Sequence, residues 1–182
     1  MTAPLKVWFE AEGRLLRLRL SQPKANLIDA AMIAALDSAL IEHLGNTAIG
    51  AILLDAEGPH FSFGASVEEH LPGQCAPMLR DLHRLIIRLV ESPVPVLVAI
   101  RGRCLGGGLE VALAAHIIFV SPDASLAQPE MNLGVFAPAA SCLLPELIGP
   151  ARAIDLLLSG RGITGAEAVT VEIGRASCRE RV

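Results

Sequence analysis

Arg101-Gly102-Arg103-Cys104-Leu105-Gly106-Gly107-Gly108-Leu109-Glu110 is a strand–glycine–helix junction, and its surroundings decide the fold class. Pro93 and Pro95 open an apolar strand over 96–100 just before it; a short helix over 109–115 and the strand Ile117-Ile118-Phe119-Val120 follow. Further upstream, Leu79, Leu82, Leu85, Ile86 and Leu89 form the inward stripe of a helix over 75–90. Before that helix lie a buried strand over 48–54 and a turn at Gly58-Pro59. Asp29 can cap a helix whose stripe runs Met32, Ile33, Leu36, Leu40 and Leu44 and which Gly45 ends. Leu16, Leu18 and Leu20 alternate with Arg17 and Arg19, the period of a half-buried strand, and Gln22 to Asn26 break it as a loop. Strands and helices alternating in this way predict an α/β domain.

The bulk properties exclude several classes. With 182 residues, 52% hydrophobic and 19% charged, the chain can bury one real core and is too apolar for disorder. A net charge of −4 argues against a nucleic-acid partner, which would need a basic face. No segment reaches the roughly 18 continuous apolar residues of a membrane span. Residues 1–10 lack the basic region and apolar run of a signal peptide. Cys75, Cys104, Cys142 and Cys178 are scattered, without a CxxC pair or a histidine at ligand spacing, as expected of unpaired thiols in a reducing cytoplasm. No metal site is predicted. From Val169 the pattern loses apolar period and turn chemistry, and three arginines crowd the last eight residues. The expected domain is therefore 1–168, with 169–182 a non-native tail from vector or read-through sequence.

Three stretches carry chemistry. Phe61-Ser62-Phe63-Gly64-Ala65-Ser66 follows a buried strand, and its small residues let a backbone N–H approach a ligand. The glycine junction leads into a helix N-terminus, whose unpaired N–H groups and dipole suit developing negative charge. Ala127-Gln128-Pro129-Glu130-Met131-Asn132-Leu133-Gly134 puts a carboxylate in a turn. Singly each is weak: a glycine turn can be mere packing, and Glu110 can be a solvated first-turn carboxylate. The GxxxxGK[ST] and GxGxxG phosphate patterns are absent.

In this order, the three stretches resemble the enoyl-CoA hydratase/isomerase (crotonase) family, and the likeness runs from about Leu15 to about Ala168. It includes the Gln22-Pro23-Lys24-Ala25-Asn26 loop and the closing Leu158-Ser159-Gly160-Arg161. The resemblance implies a spiral of ββα units, here without the family's C-terminal helical part, and a homotrimer or dimer of trimers at full length. It implies that Ala65 and Gly107 supply the two backbone N–H donors of an oxyanion hole. It implies that Glu110 and Glu130 are the catalytic pair, with the roles of base and acid left open. The substrate is implied to be an acyl-CoA thioester held near Lys24, Ala25, Phe63, Gly64, Ala65, Ser66, Gly106, Gly107 and Phe136. Coenzyme A is then part of the substrate, and no separate cofactor is implied.

Two departures from the common family pattern bear on the acyl group. Ser66 replaces the usual acid of Gly-Ala-Asp, and Val135 to Cys142 replace a Pro-Gly-x-Gly-Gly stretch. With Ser62-Phe63-Gly64-Ala65-Ser66 they resemble a branch of the family that acts on a cyclic, doubly unsaturated acyl group, and this resemblance implies such a substrate, with a straight-chain enoyl thioester as the alternative. Of other classes, a spiral-fold serine protease would have to use Ser62 or Ser141, but no GxSxG elbow is present. A non-catalytic CoA-thioester-binding protein would have no use for both Glu110 and Glu130.

Overall fold

The computed structural model describes residues 3–176 except Pro23 and Pro72; Pro23 of the first loop, Cys178 and the rest of 177–182 lie outside the described residues. Strands β1 (Leu5–Glu10) and β2 (Leu15–Leu20) form an antiparallel hairpin. Helix α1 (Ala30–His43) starts where the Asp29 side chain accepts the Met32 N–H at 2.8 Å, satisfying an otherwise orphaned donor. Then come β3 (Ala51–Ala56), α2 (Cys75–Val90), β4 (Val96–Ile100), β5 (Arg103–Leu105) and α3 (Gly107–Leu113). They are followed by β6 (Ile117–Val120), β7 (Ser125–Ala127), α4 (Pro138–Ile148), α5 (Pro150–Ser159), β8 (Ile163–Thr164), α6 (Gly165–Thr170) and β9 (Arg175–Ala176).

The large sheet has the order β1-β2-β3-β4-β6-β9, and every pairing after the hairpin is parallel. A second sheet, β5-β7-β8, is continued towards the N-terminus by bridges between Ser62 and Cys104 and between Ile28 and Ala65. The chain thus repeats one cycle: a strand of the large sheet, a short extended piece in the second layer, then a helix. The cycles are β2–Ile28–α1, β3–Ser62 to Ala65–α2, β4–β5–α3 and β6–β7–α4. This is the expected spiral of ββα units. Leu16, Leu18, Leu20, Ile52, Leu54, Val96 and Val98 pack one sheet face against Met32, Leu36, Leu40, Leu82 and Leu85 of α1 and α2. Burying one such side chain is worth roughly 1.5–3 kcal/mol, so this layer dominates what holds the spiral together.

Several boundaries differ from the sequence reading. The third strand begins at Ala51 rather than residue 48, because Asn46 takes residues 46–49 into a turn through the Ile49 and Ala48 N–H groups. The glycine-junction helix starts at Gly107 rather than residue 109. The fold also continues past Ala168. Val169 and Thr170 finish α6, Ile173 is buried, and Arg175 and Ala176 pair in parallel with Phe119 and Val120 of β6. Gly174 makes that pairing possible, since a Cβ there would lie 3.0 Å from the Ile118 carbonyl oxygen. A stretch this short shows no period of its own; its one apolar anchor and one glycine acquire meaning only against β6.

Candidate active site

Each cycle of the spiral passes from its second-layer piece into its helix at the same level, so four chain-distant junctions are stacked. Ala25 belongs to the first, Ala65 to the second, Gly106, Gly107 and Glu110 to the third, and Glu130 to the fourth. Backbone bonds lock the stack: Phe63 N–H to Ala25 O at 2.8 Å, Ile28 N–H to Gly64 O at 2.9 Å, Leu105 N–H to Ser62 O at 3.0 Å and Gly106 N–H to Ala127 O at 2.9 Å.

The glycines are demanded by this closeness. Gly106 has φ +49°, and a Cβ on it would lie 2.7 Å from Glu130 Oε1; one on Gly108 would lie 2.5 Å from Ser62 Cβ. A Cβ on Gly107 would sit 3.3 Å from the Ala65 nitrogen. The Ala65 and Gly107 backbones are therefore neighbours. Neither N–H has a hydrogen-bond partner among the described residues, Gly107 being the first residue of its helix.

Glu110, one turn into α3, is 3% exposed, yet it is not stranded. Its Oε1 accepts the N–H groups of Ala139 and Ala140, at 2.8 and 3.0 Å, from the N-terminus of α4. Burial pushes its carboxyl up from the ordinary value, against the pull of the Ala140 and Ala139 N–H groups and the nearby His83 and His70 imidazoles. Glu130 stands half-buried in a 3-10 turn over Pro129–Leu133. Burial pushes it up to about 7; its own N–H lowers it, the negative charge of Glu110 raises it, and His70 lowers it. The charge of Glu110 thus reaches Glu130, so the fold brings the two carboxylates near one another despite the twenty residues between them.

Four groups were not foreseen in the sequence. The Ala139 and Ala140 amides could have been found from Pro138, whose fixed φ marks a helix start. Gln128 is 2% exposed, and with its nitrogen turned to Glu130 it donates to both carboxylate oxygens at 3.1 and 3.0 Å. The opposite turn presents an oxygen to which protonated Glu130 would donate, so the amide suits either charge state. Asn26 is 1% exposed; its Nδ2 donates to Glu57 O at 2.9 Å and His60 O at 3.0 Å, and its Oδ1 accepts from the Gln22 N–H. It pins the loop that carries Lys24 and Ala25 beside Phe63. His70 had no distinguishing pattern.

The other expected site residues are less tightly gathered. Lys24 is exposed with φ +100°, a backbone conformation that costs about 1–3 kcal/mol. Phe63 packs edge-on against His60 at 5.0 Å and under the Arg103 guanidinium at 5.6 Å. The Ser66 carbonyl accepts from His70 Nδ1 at 2.7 Å. Phe136 is 66% exposed on the loop between the Glu130 turn and α4. Among the described residues, no helix is long and apolar enough to cross a membrane.

Two unpartnered N–H groups side by side, with two coupled carboxylates near them, can stabilise an enolate oxygen and exchange protons. Comparison with known proteins identifies the family. The model of the family described as enoyl-CoA hydratase/isomerase matches residues 10–176. A protein of Thauera aromatica named cyclohexa-1,5-dienecarbonyl-CoA hydratase is 66% identical over 166 residues, covering 91% of this chain and 64% of that protein. A probable enoyl-CoA hydratase of Bacillus subtilis is 36% identical over 157 residues, covering 84% and 61%. The crystal structure of an enoyl-CoA hydratase from Thermoplasma volcanium superposes with a TM-score of 0.90 at 26% identity, over 98% of this chain and 73% of that one. The chain spans less than two thirds of the length of these two curated relatives. On the match of nearly its whole length, with the spiral and its stacked junctions in place, the chain belongs to the enoyl-CoA hydratase/isomerase family.

Proposed function

We propose that this protein hydrates cyclohexa-1,5-diene-1-carbonyl-CoA to 6-hydroxycyclohex-1-ene-1-carbonyl-CoA, as a step of anaerobic benzoyl-CoA degradation in the cytoplasm. The observation that carries the reading is the coupled Glu110–Glu130 pair beside two unpartnered N–H donors; the 66% identity to the Thauera aromatica protein supports the cyclic acyl group. Water adds through oxygen to the ring carbon β to the thioester and loses a proton to one glutamate. The displaced π electrons spread into a dienolate whose oxygen is held by the Ala65 and Gly107 N–H groups. The other glutamate gives its proton to the far end of the former diene, leaving one ring double bond.

The environments divide the roles. Burial raises Glu110 as well, but the two helix N–H groups on its Oε1 hold its anion against that push, and on this ground we assign it the role of base. Glu130, pushed up to about 7, holds a proton near neutrality and is the acid. One oxyanion donor is worth ~10²–10³ in rate, and general acid–base work a further ~10²–10⁴. The coenzyme A moiety lies along Lys24, Ala25 and Phe63 to Ser66, with Gly106 and Phe136 towards the acyl group, and the reaction needs no other cofactor. The proposal includes assembly as a homotrimer or dimer of trimers. Incubation with the cyclic dienoyl-CoA and, separately, crotonyl-CoA, with product identification, tests the reading. The 6-hydroxy product supports it; hydration of crotonyl-CoA alone would assign a straight-chain hydratase instead.

A further inference from the structure

An oxyanion hole of two backbone N–H groups works only while both peptides stay aimed. The Gly107 N–H is aimed by its helix, because the carbonyl of the same peptide, Gly106 O, accepts the Glu110 N–H at 2.9 Å. The Ala65 N–H has no helix to aim it and follows Gly64. Gly64 has φ +103°, and a Cβ on it would lie 3.1 Å from the Leu105 carbonyl oxygen, so both its conformation and its packing demand glycine. Left unpinned, Gly64 has the freedom to rotate the Ala65 N–H away from Gly107.

Two bonds pin it. Gly64 O accepts the Ile28 N–H at 2.9 Å; in a trans peptide the carbonyl and the N–H point opposite ways, so this directs the Ala65 N–H away from Ile28. On the other side, the buried Gly64 N–H donates to Ser62 Oγ at 3.1 Å, a two-residue side-chain turn. Ser62 is itself fixed. It is 0% exposed, its N–H donates to Arg103 O at 3.1 Å, and its carbonyl accepts the Leu105 N–H at 3.0 Å. A Cβ on Gly108 would lie 2.5 Å from both Ser62 Cβ and Ser62 Oγ. The Ser62 side chain therefore rests on the first turn of α3, beside Gly107, and joins the two halves of the hole.

We infer that Ser62 is the positioning residue of the oxyanion hole: bonded to the Gly64 N–H and seated on Gly108, it fixes the Ala65 N–H relative to the Gly107 N–H. Its oxygen is engaged by Gly64 and closed off from solvent, so it acts through the backbone and not on the substrate. The inference rests on the oxyanion reading of Ala65 and Gly107, but not on the shape of the acyl group.

Ser62→Ala removes the acceptor and leaves the backbone bonds of residue 62 in place, while Ser62→Cys returns a weaker one. Infrared difference spectra of bound butanoyl-CoA and cyclohexanecarbonyl-CoA, ¹³C-labelled at the carbonyl, read the hole directly. Neither saturated thioester can be hydrated, and each donor lowers the C=O stretch. The stretch should fall when the thioester binds the parent, fall less in Ser62→Ala, and lie between the two in Ser62→Cys. Turnover is followed on crotonyl-CoA beside the cyclic dienoyl-CoA. In Ser62→Ala kcat should drop roughly tenfold, part of the ~10²–10³ that a whole donor is worth, with KM within about twofold. A parent stretch in Ser62→Ala, with or without slower turnover, overturns the inference, and so does a parent kcat. A parent whose bound carbonyl is unshifted refutes the two-donor hole itself and the role of Ser62 with it, so the parent spectrum separates the two failures.

Discussion

Replacing Glu130 by Gln should make the protein more stable at pH 8 while disabling it. Burial carries this carboxyl from its ordinary 4.5 to about 7, so the folded chain holds the proton more tightly than the unfolded one. The sign follows directly. A carboxyl raised by folding imposes no penalty below pH 4.5, a growing one as pH climbs towards 7, and the full one above. The displacement corresponds to about 3.5 kcal/mol at roughly 1.4 kcal/mol per pH unit. Solvent screening at a partly exposed group reduces this to about 1–2 kcal/mol. The new amide fits, because Gln128 can turn its oxygen towards it. Urea unfolding of parent and variant at pH 5 and pH 8 measures the difference. The variant should gain about 1–2 kcal/mol at pH 8 and much less at pH 5, with kcat lowered ~10²–10⁴-fold. An equal gain at both pH values, or none at pH 8, would show that burial does not disfavour the Glu130 anion.

Further outcomes follow from the same geometry. On the proposed division of roles Glu130 acts as the acid only while protonated, so the pH profile of kcat should lose its alkaline limb near 7 in Glu130→Gln; steady-state rates between pH 5 and 9 read this. Gly107→Pro removes an N–H that no protein group uses, at the helix position where proline is best tolerated. It should cut kcat ~10²–10³-fold, and because its Cβ would crowd Ala65 at 3.2–3.3 Å it should also lower the urea midpoint, with circular dichroism still that of a folded chain. Glu110→Ala leaves the Ala139 and Ala140 N–H groups without their acceptor and should cost about 1–3 kcal/mol in urea unfolding besides abolishing turnover. Asn26→Ala frees the loop that bears Lys24 and Ala25, so the KM for the CoA thioester should rise several-fold while kcat holds, as initial rates will show.

Much of this protein is written locally. The Asp29 cap, the stripe from Leu82 to Leu89 and the apolar run from Val96 to Ile100 specify α1, α2 and β4 through interactions within a few residues, so their limits are legible from the chain alone. Gly106-Gly107-Gly108 and the carboxylates at 110 and 130 are equally plain as chemistry in waiting. What the chain alone cannot express is adjacency. Glu130 packs on Gly106, and Gly107 on Ala65, because parallel pairing advances the chain by one ββα unit per turn and returns each junction to the same level. That register is a property of the assembled sheets. It turns the α4 amides into the cradle of Glu110, gives Gln128 its carboxylate neighbour, and draws residues 169–176 into the fold beside β6. Burial then raises the carboxyl of Glu130 to about 7, a value set by the surrounding low-dielectric packing rather than by any residue next to it in sequence.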